Sequence, residues 1–550
     1  MPELLFEIGT EELPPNLIGK LTNQIKENII KGLSESNIEV KSENSKTFNT
    51  PRRIAIHITN LPEKQEVKTE EVKGPDRNKA FDKDRNPTQA AIGFAKKHNL
   101  ESKDLILKKV NNAEYVFAKV TTGGKTTKEL LTNTLPNSIK QTTGDKFMSW
   151  GNYDEKFARP IRWILAILGN ETIPFKYAGI ESSNQSYGHR FLANKKITVS
   201  SPKEYKDILR KNCVLADQEE RKKYILDELL NKKCKETNAS LSENPLSLLE
   251  TVTNITEYPS LLLCSFDKEF LELPAKVIET VLEHHQKCFA LYDIKKEKLL
   301  PNFITITNGT ENNNEKIKEE IKKGNEKVVK ARLRDAQFFF SEDLKRPFTF
   351  EERGKGLGSM QEKVERITKL SEYIFHKIEK TLKPNITKED LITCAKLCKL
   401  DLSTRMVFEF TELQGEIGSI YAKVNKYNES ISEGIKEHYY PRFLGDQIPK
   451  TLSGLVLGIA DKLDNIICLF AIGKIPSGSA DPFALRRQAQ GIMENTNHWK
   501  LKININEMID YFIKNIISPN LKEKITKEKE EQIKDFLTQR FKSLMETLGY

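Results

Sequence analysis

The sequence predicts a multidomain, mostly helical protein with an α+β amino-terminal portion followed by all-α domains. Three observations predict it. The 550 residues leave room for roughly 3–4 domains, each with its own core. Short runs with strand-like apolar clustering are concentrated toward the amino terminus. From residue 351 onward the apolar residues recur at helical spacing instead.

Residues 4–8, 53–58 and 115–120 each read as a strand, and 196–199, with its Ser-Ser-Pro exit, as a fourth. The G-G-K-T at 123–126 has Lys119 where a phosphate-cradling loop needs glycine, which predicts a turn between two elements. Residues 231–245 are polar and read as a surface loop. Residues 310–315 break the chain before a lysine–glutamate stretch, 316–330, that reads as a solvated helix face. Gly354, Gly356 and Gly358 lack the dinucleotide spacing and predict a loop leading into a helix.

Thr387 and Asp390 have capping-box spacing, and Leu391, Ala395, Cys398 and Leu402 form one apolar stripe behind them. Residues 455–470 read as a buried helix interrupted by the polar stretch 461–465. Asp481 suits a cap and Pro482 the first helical position, with Leu485, Ala489 and Ile492 on one face and Arg486 and Gln490 on another.

Composition excludes several function classes. The longest apolar run, 466–472, falls far short of the ~20 residues that span a bilayer, so no membrane role is expected. Glu3, Glu7, Glu11 and Glu12 precede the first basic residue, Lys20, the reverse of an export or organellar leader. Seven cysteines without a C-x-x-C pair predict reduced thiols and a cytoplasmic protein. A formal charge of +10 favours a polyanionic partner. The eight histidines suggest no metal site. His284 and His285 are adjacent, so on an α-helix they point about 100° apart and share an ion poorly.

The arginines carry the better signal. Arg52 with Arg53, Arg159 with Arg162, and Arg486 with Arg487 are compact cationic pairs, and guanidinium forks suit phosphate oxygens. Arg332 and Arg334 stand beside three consecutive phenylalanines, 338–340, rings that could stack on unpaired bases or else pack into a core. All eight arginines are candidate RNA contacts. For each one the alternative is an ion pair with nearby carboxylates, and Arg486 in particular could be tied to Asp461 or Asp464. Of the three phenylalanines, at least one is expected in the core.

The run M-P-E-L-L-F-E-I-G-T-E-E-L-P-P at 1–15 follows from no general physical rule. It is accompanied, in order, by T-P-R-R-I-A-I (50–56), K-G-P (73–75), P-T-Q-A-A-I-G-F-A (87–95), F-A-R-P-I-R-W (157–163) and Y-G-H-R-F (187–191). H-Q-K-C-F-A-L (285–291), A-R-L-R-D-A-Q-F-F-F (331–340), E-F-T-E-L-Q-G (409–415) and D-P-F-A-L-R-R-Q-A (481–489) complete the series. Together these resemble the β-subunit family of the bacterial two-subunit glycyl-tRNA synthetase. The resemblance implies an α+β body over 1–345, a helical HD-like domain over 346–500 and, from 501 to 550, the start of a helical anticodon-binding domain. It implies an α partner in an α2β2 assembly, with ATP and Mg used at the α subunit, and tRNA(Gly), not DNA, as the nucleic acid. No catalytic residue and no cofactor is expected on this chain, which lacks the H-I-G-H and K-M-S-K-S signatures.

Two departures stand out. F-L-T-Q-R-F at 536–541 resembles the opening of the family's last domain, which in relatives runs well beyond residue 550, so a fragment or a shortened subunit is expected. HD hydrolases hold metal with a His-Asp dipeptide, and this sequence contains none. Asp401, Asp461 and Asp464 with His438 supply too few imidazoles for a transition-metal site, so hydrolase activity is expected to be lost. A surviving phosphohydrolase and a stand-alone RNA-binding protein are the rival readings.

Overall fold

The computed structural model describes all residues except 83–84, 111–112, 244, 310–313, 346–358, 383–385, 479 and 548–550. The three glycines at 354, 356 and 358, and most of the break at 310–315, lie outside the described residues. The chain divides into two units, Met1–Cys264 with Lys287–Gly324, and Ser265–Gln286 with Asn325–Tyr550.

The first unit is α+β. Its central strand, Leu4–Thr10, pairs antiparallel with Arg53–Ile58 on one side and with Ile161–Leu168 on the other, within a seven-stranded sheet. Strand alternation decides which core each residue joins. Leu4, Phe6 and Ile8 pack under the helices Pro15–Glu35 and Thr127–Lys140 against Ile25, Ile29, Leu131 and Leu135. Leu5 enters the opposite core with Leu165, Tyr205 and Leu209. By the same alternation Glu7 shares the face of Leu5, so a carboxylate is sent into an interior. Gly9 is required here, because a Cβ would lie 1.9 Å from the indole of Trp163 on the neighbouring strand.

A three-stranded sheet (Lys68–Asp76, Ala113–Thr122, Ile106–Val110) carries the short helix Gln89–Lys97. A four-stranded sheet runs in the order Ala239–Leu241, Phe289–Asp293, Leu299–Thr307, Ser260–Ser265. The strand expectations at 4–8, 53–58, 115–120 and 196–199 are met. Gly123 and Gly124, with φ of 96° and 81°, make the expected turn, and Thr126 then caps the helix with a full capping box to Glu129. The loop expected at 231–245 is corrected: it holds the helical turn Lys232–Glu236 and the strand Ala239–Leu241. Pairing to Phe289–Asp293 and burial of Cys234 and Ala239 outweigh its polar composition.

The described residues of the second unit are mainly helical. Leu452–Ala471 is its centre, and every residue in it except Asn465 is buried. Met360–Leu382, Glu429–Glu437, Leu485–His498 and Lys527–Thr547 pack around it. Each fully buried leucine or isoleucine contributes about 1.5–3 kcal/mol. The Thr387 hydroxyl accepts from the Asp390 amide at 3.0 Å, and Leu391, Ala395 and Cys398 are buried as expected. No disulfide links the seven cysteines. Among the described residues no helix is long and apolar enough to cross a membrane.

Candidate functional site

In the first unit, residues far apart in the sequence meet around Glu7. Its carboxylate accepts from the Ser186 hydroxyl at 2.7 Å and also from the Trp163 indole N–H and the Tyr205 hydroxyl. Arg53 crosses to a second carboxylate, Glu257: its Nε and Nη2 donate to Oε1 at 3.2 and 3.1 Å. Its Nη1 donates to the Tyr187 carbonyl at 2.9 Å and lies 3.8 Å from Glu7. Thr50 donates to Glu257 at 2.7 Å. Burial opposes ionisation of Glu257, but Arg53 and Arg52 outweigh it and hold the carboxyl below the usual range. The donors of Arg53 are matched, whereas Nε and Nη1 of Arg52 and Oε2 of Glu257 make no hydrogen bond among the described residues; the Arg53-centred part of the network is a framework.

The structure places the eight candidate arginines unevenly. Arg53 is 0% exposed and fully engaged with protein, which gives it no solvent face. Arg52 is mostly buried, 3.7 Å from Glu257 and over the Trp163 ring. Arg162, on the same strand as Trp163, is exposed and pairs with Glu11 at 3.2 Å. Arg159 is half-buried and donates to the Ala158 carbonyl. These four gather where the first strand ends, because Thr10 and Glu11 donate their amides to the Arg52 and Pro160 carbonyls. Arg190, which sequence reasoning missed, closes the group by pairing with Glu11 at 2.5 Å and Glu12 at 3.5 Å.

The other four lie in the second unit. Arg332 and Arg334 are exposed on the helix Glu315–Leu344. Of the neighbouring phenylalanines none is fully buried: Phe340 packs on Tyr421 at 5.6 Å, and Phe338 is 53% exposed. The core role expected for at least one is therefore only partial. The helix expected from Pro482 starts at Leu485. Ala484 takes a left-handed conformation, and the Asp481 carboxylate accepts from the Leu485 and Arg486 amides at 2.9 Å. Leu485, Ala489 and Ile492 are all buried, leaving Arg486 half-buried and Arg487 exposed.

Asp461 and Asp464 are held by other cations, which the sequence did not single out. Lys363 lies 2.9 Å from both carboxylates, Lys399 donates to Asp461 at 2.8 Å, and Arg366 to Asp464 at 2.6 Å. Burial opposes ionisation of Asp461, yet Lys363 and Lys399 keep it well below the usual carboxylate range. Lys462 donates to the His438 and Tyr440 carbonyls, and burial pulls its pKa down to about 8. Burial, then Lys399, pushes His438 well below the imidazole range. Burial lifts Asp401 to about 6 despite the Gly415 amide donating to it at 2.6 Å. Lys399 and Lys462 flank apolar stretches in the sequence, the signal that could have marked them as buried and paired.

Known proteins share this sequence from end to end. The family model described as glycyl-tRNA synthetase beta subunit matches residues 4–550. The chain belongs to this family. The glycine–tRNA ligase beta subunit of Clostridioides difficile (strain 630) is 42% identical over 561 aligned residues, which cover 99% of this chain and 78% of that protein. The namesakes from Halothermothrix orenii and Bacillus subtilis (strain 168) are 40% and 38% identical, each over 77% of its own length. The stretches 1–15, 50–56, 157–163 and 187–191 supply Glu7, Thr50, Arg53, Trp163 and Tyr187 to the buried network.

One geometric expectation is overturned. His284 and His285 end a wide π-helical turn, Thr280–His285, and both rings face Glu412, at 3.2 and 3.6 Å. Their ligand atoms and that of Glu412 lie within 4.8 Å of one another. A separation of about 100° per residue belongs to α-helical winding, which this turn does not have.

Proposed function

We propose that this chain is the tRNA-holding β subunit of a glycine–tRNA ligase, joining glycine to tRNA(Gly) with conversion of ATP to AMP and diphosphate. The observation that carries it is the family match over residues 4–550. On this reading a smaller α subunit, in an α2β2 assembly in the cytoplasm, holds glycine, ATP and Mg and performs the adenylation. This chain then holds the tRNA acceptor end against that site, lowering the barrier through orientation. The α+β body runs over 1–345, the HD-like domain over 346–500, and the start of the anticodon-binding domain over 501–550. Phosphate binding falls to the exposed Arg162, Arg332, Arg334 and Arg487, with Arg159 and Arg486 beside them. Arg52 and Arg53 hold the wall behind.

The test is tRNA(Gly) binding by the assembled complex across a salt series. Arg162→Ala and Arg334→Ala should each weaken binding and lower the slope of log K against log salt by about one for each phosphate no longer neutralised. Unchanged slopes in both would remove these residues from the interface.

A further inference from the structure

A cavity of about 380 Å³ opens over Asp461 in the second unit, lined by Lys363, Lys399, Arg442, Lys462 and Arg487, with Tyr439 among its walls. Its volume suits a small ligand or a single nucleotide. Positive charge dominates it. Lys363 is saturated by Asp461, Asp464 and the Asn465 side chain. Arg442 is taken by Asp446 at 2.8 and 3.1 Å. That leaves Lys399, Lys462 and Arg366, with Arg487 at the mouth, facing the remaining charge of Asp461, Asp464 and Asp401. Counting Lys363, five cations face three carboxylates, an excess of about two positive charges, one on the exposed Arg487 and one away from water; a buried excess charge is costly without an anion.

The arrangement does not suit a metal. Lys363 and Lys399 place ammonium groups 2.9 and 2.8 Å from the two oxygens of Asp461, where a cation would have to sit. It suits an anion better. Lys399 spends one N–H on Asp461 and lies 4.0 Å from the Tyr439 ring centre, which leaves donor capacity toward the cavity. Arg487 is exposed and offers a planar fork at the entrance.

We propose that this cavity binds a phosphate group, carried by a free nucleotide-like molecule or by an RNA backbone. The inference shares Arg487 with the tRNA-holding reading but does not depend on it, since a small phosphate could occupy the site whether or not RNA reaches it.

The experiment titrates pyrophosphate into the full chain alone, away from the α subunit's own nucleotide site, by calorimetry. One equivalent should bind, and Arg487→Gln and Lys399→Met should each weaken it roughly tenfold or more. Lys542→Gln, the same loss of charge on an exposed lysine of another helix, should leave it unchanged. Arg487 is on the surface, so its variant reports on the site even if Lys399→Met fails to fold. Competition with tRNA(Gly) then separates the sources. Displacement of the RNA by pyrophosphate assigns the site to the RNA backbone, and simultaneous binding of both assigns it to a free phosphate compound. No saturable binding, or equal affinities for Arg487→Gln and Lys542→Gln, overturns the proposal. Glycine charging by the chain mixed with its α partner, measured in parallel, shows whether the tRNA-holding role survives that result.

Discussion

Arg53 is the residue on which the interior of the first unit turns. It is the only guanidinium in contact with both Glu7 and Glu257 among the described residues, and all three side chains are 0–1% exposed. Taking Arg53 away leaves two carboxylates in a medium that cannot solvate them. Arg53→Met, close in length but uncharged, should therefore destabilise the first unit by about 3–5 kcal/mol, read from its urea unfolding transition. A loss under about 1 kcal/mol would mean that water or rearrangement replaces the guanidinium. The sequence made this network half legible. A glutamate within the apolar run L-L-F-E-I demands a buried cation. Nothing in T-P-R-R says which arginine provides it, because the choice depends on the strand register that turns Arg53 inward and leaves Arg52 nearer the surface.

At the scale of elements, the helices with strong local signals were the legible ones. The central helix Leu452–Ala471 contains the expected 455–470 span because a run so apolar has no stable place except inside. Elements whose reason for existing lies elsewhere in the chain were not legible. The strand Ala239–Leu241 is polar and exists through its partner strand, and the π-helical turns at Tyr224–Asn231 and Thr280–His285 leave no mark in hydrophobic periodicity. The helix start at Leu485 is an intermediate case. Asp481 was recognisable as a cap, but it works from four residues before the first helical residue, Leu485, across the left-handed Ala484. Asp481→Ala should cost about 1 kcal/mol, measured by thermal unfolding, because two backbone amides are left without their carboxylate acceptor. It should also loosen the segment bearing Arg486 and Arg487, seen as faster amide exchange at Leu485 and Arg486.

At the scale of the whole molecule, family membership was legible because the motifs recur in order along almost the entire chain. The candidate phosphate-binding residues were not legible as a surface. The eight arginines occupy both units, and Arg52 and Arg53 serve the interior of the first. Sequence gives their charge, while exposure is decided by pairing. The cation-rich cavity over Asp461 was invisible for the same reason, since Lys363, Lys399 and Lys462 come from three separate segments. The central claim is that this chain holds tRNA for chemistry performed by a partner. The most direct measurement is glycine-dependent charging of tRNA(Gly) by this chain alone, by the α subunit alone, and by the two together. Charging is expected only in the mixture. Charging by this chain alone would contradict it, as would undiminished charging by the α subunit without this chain.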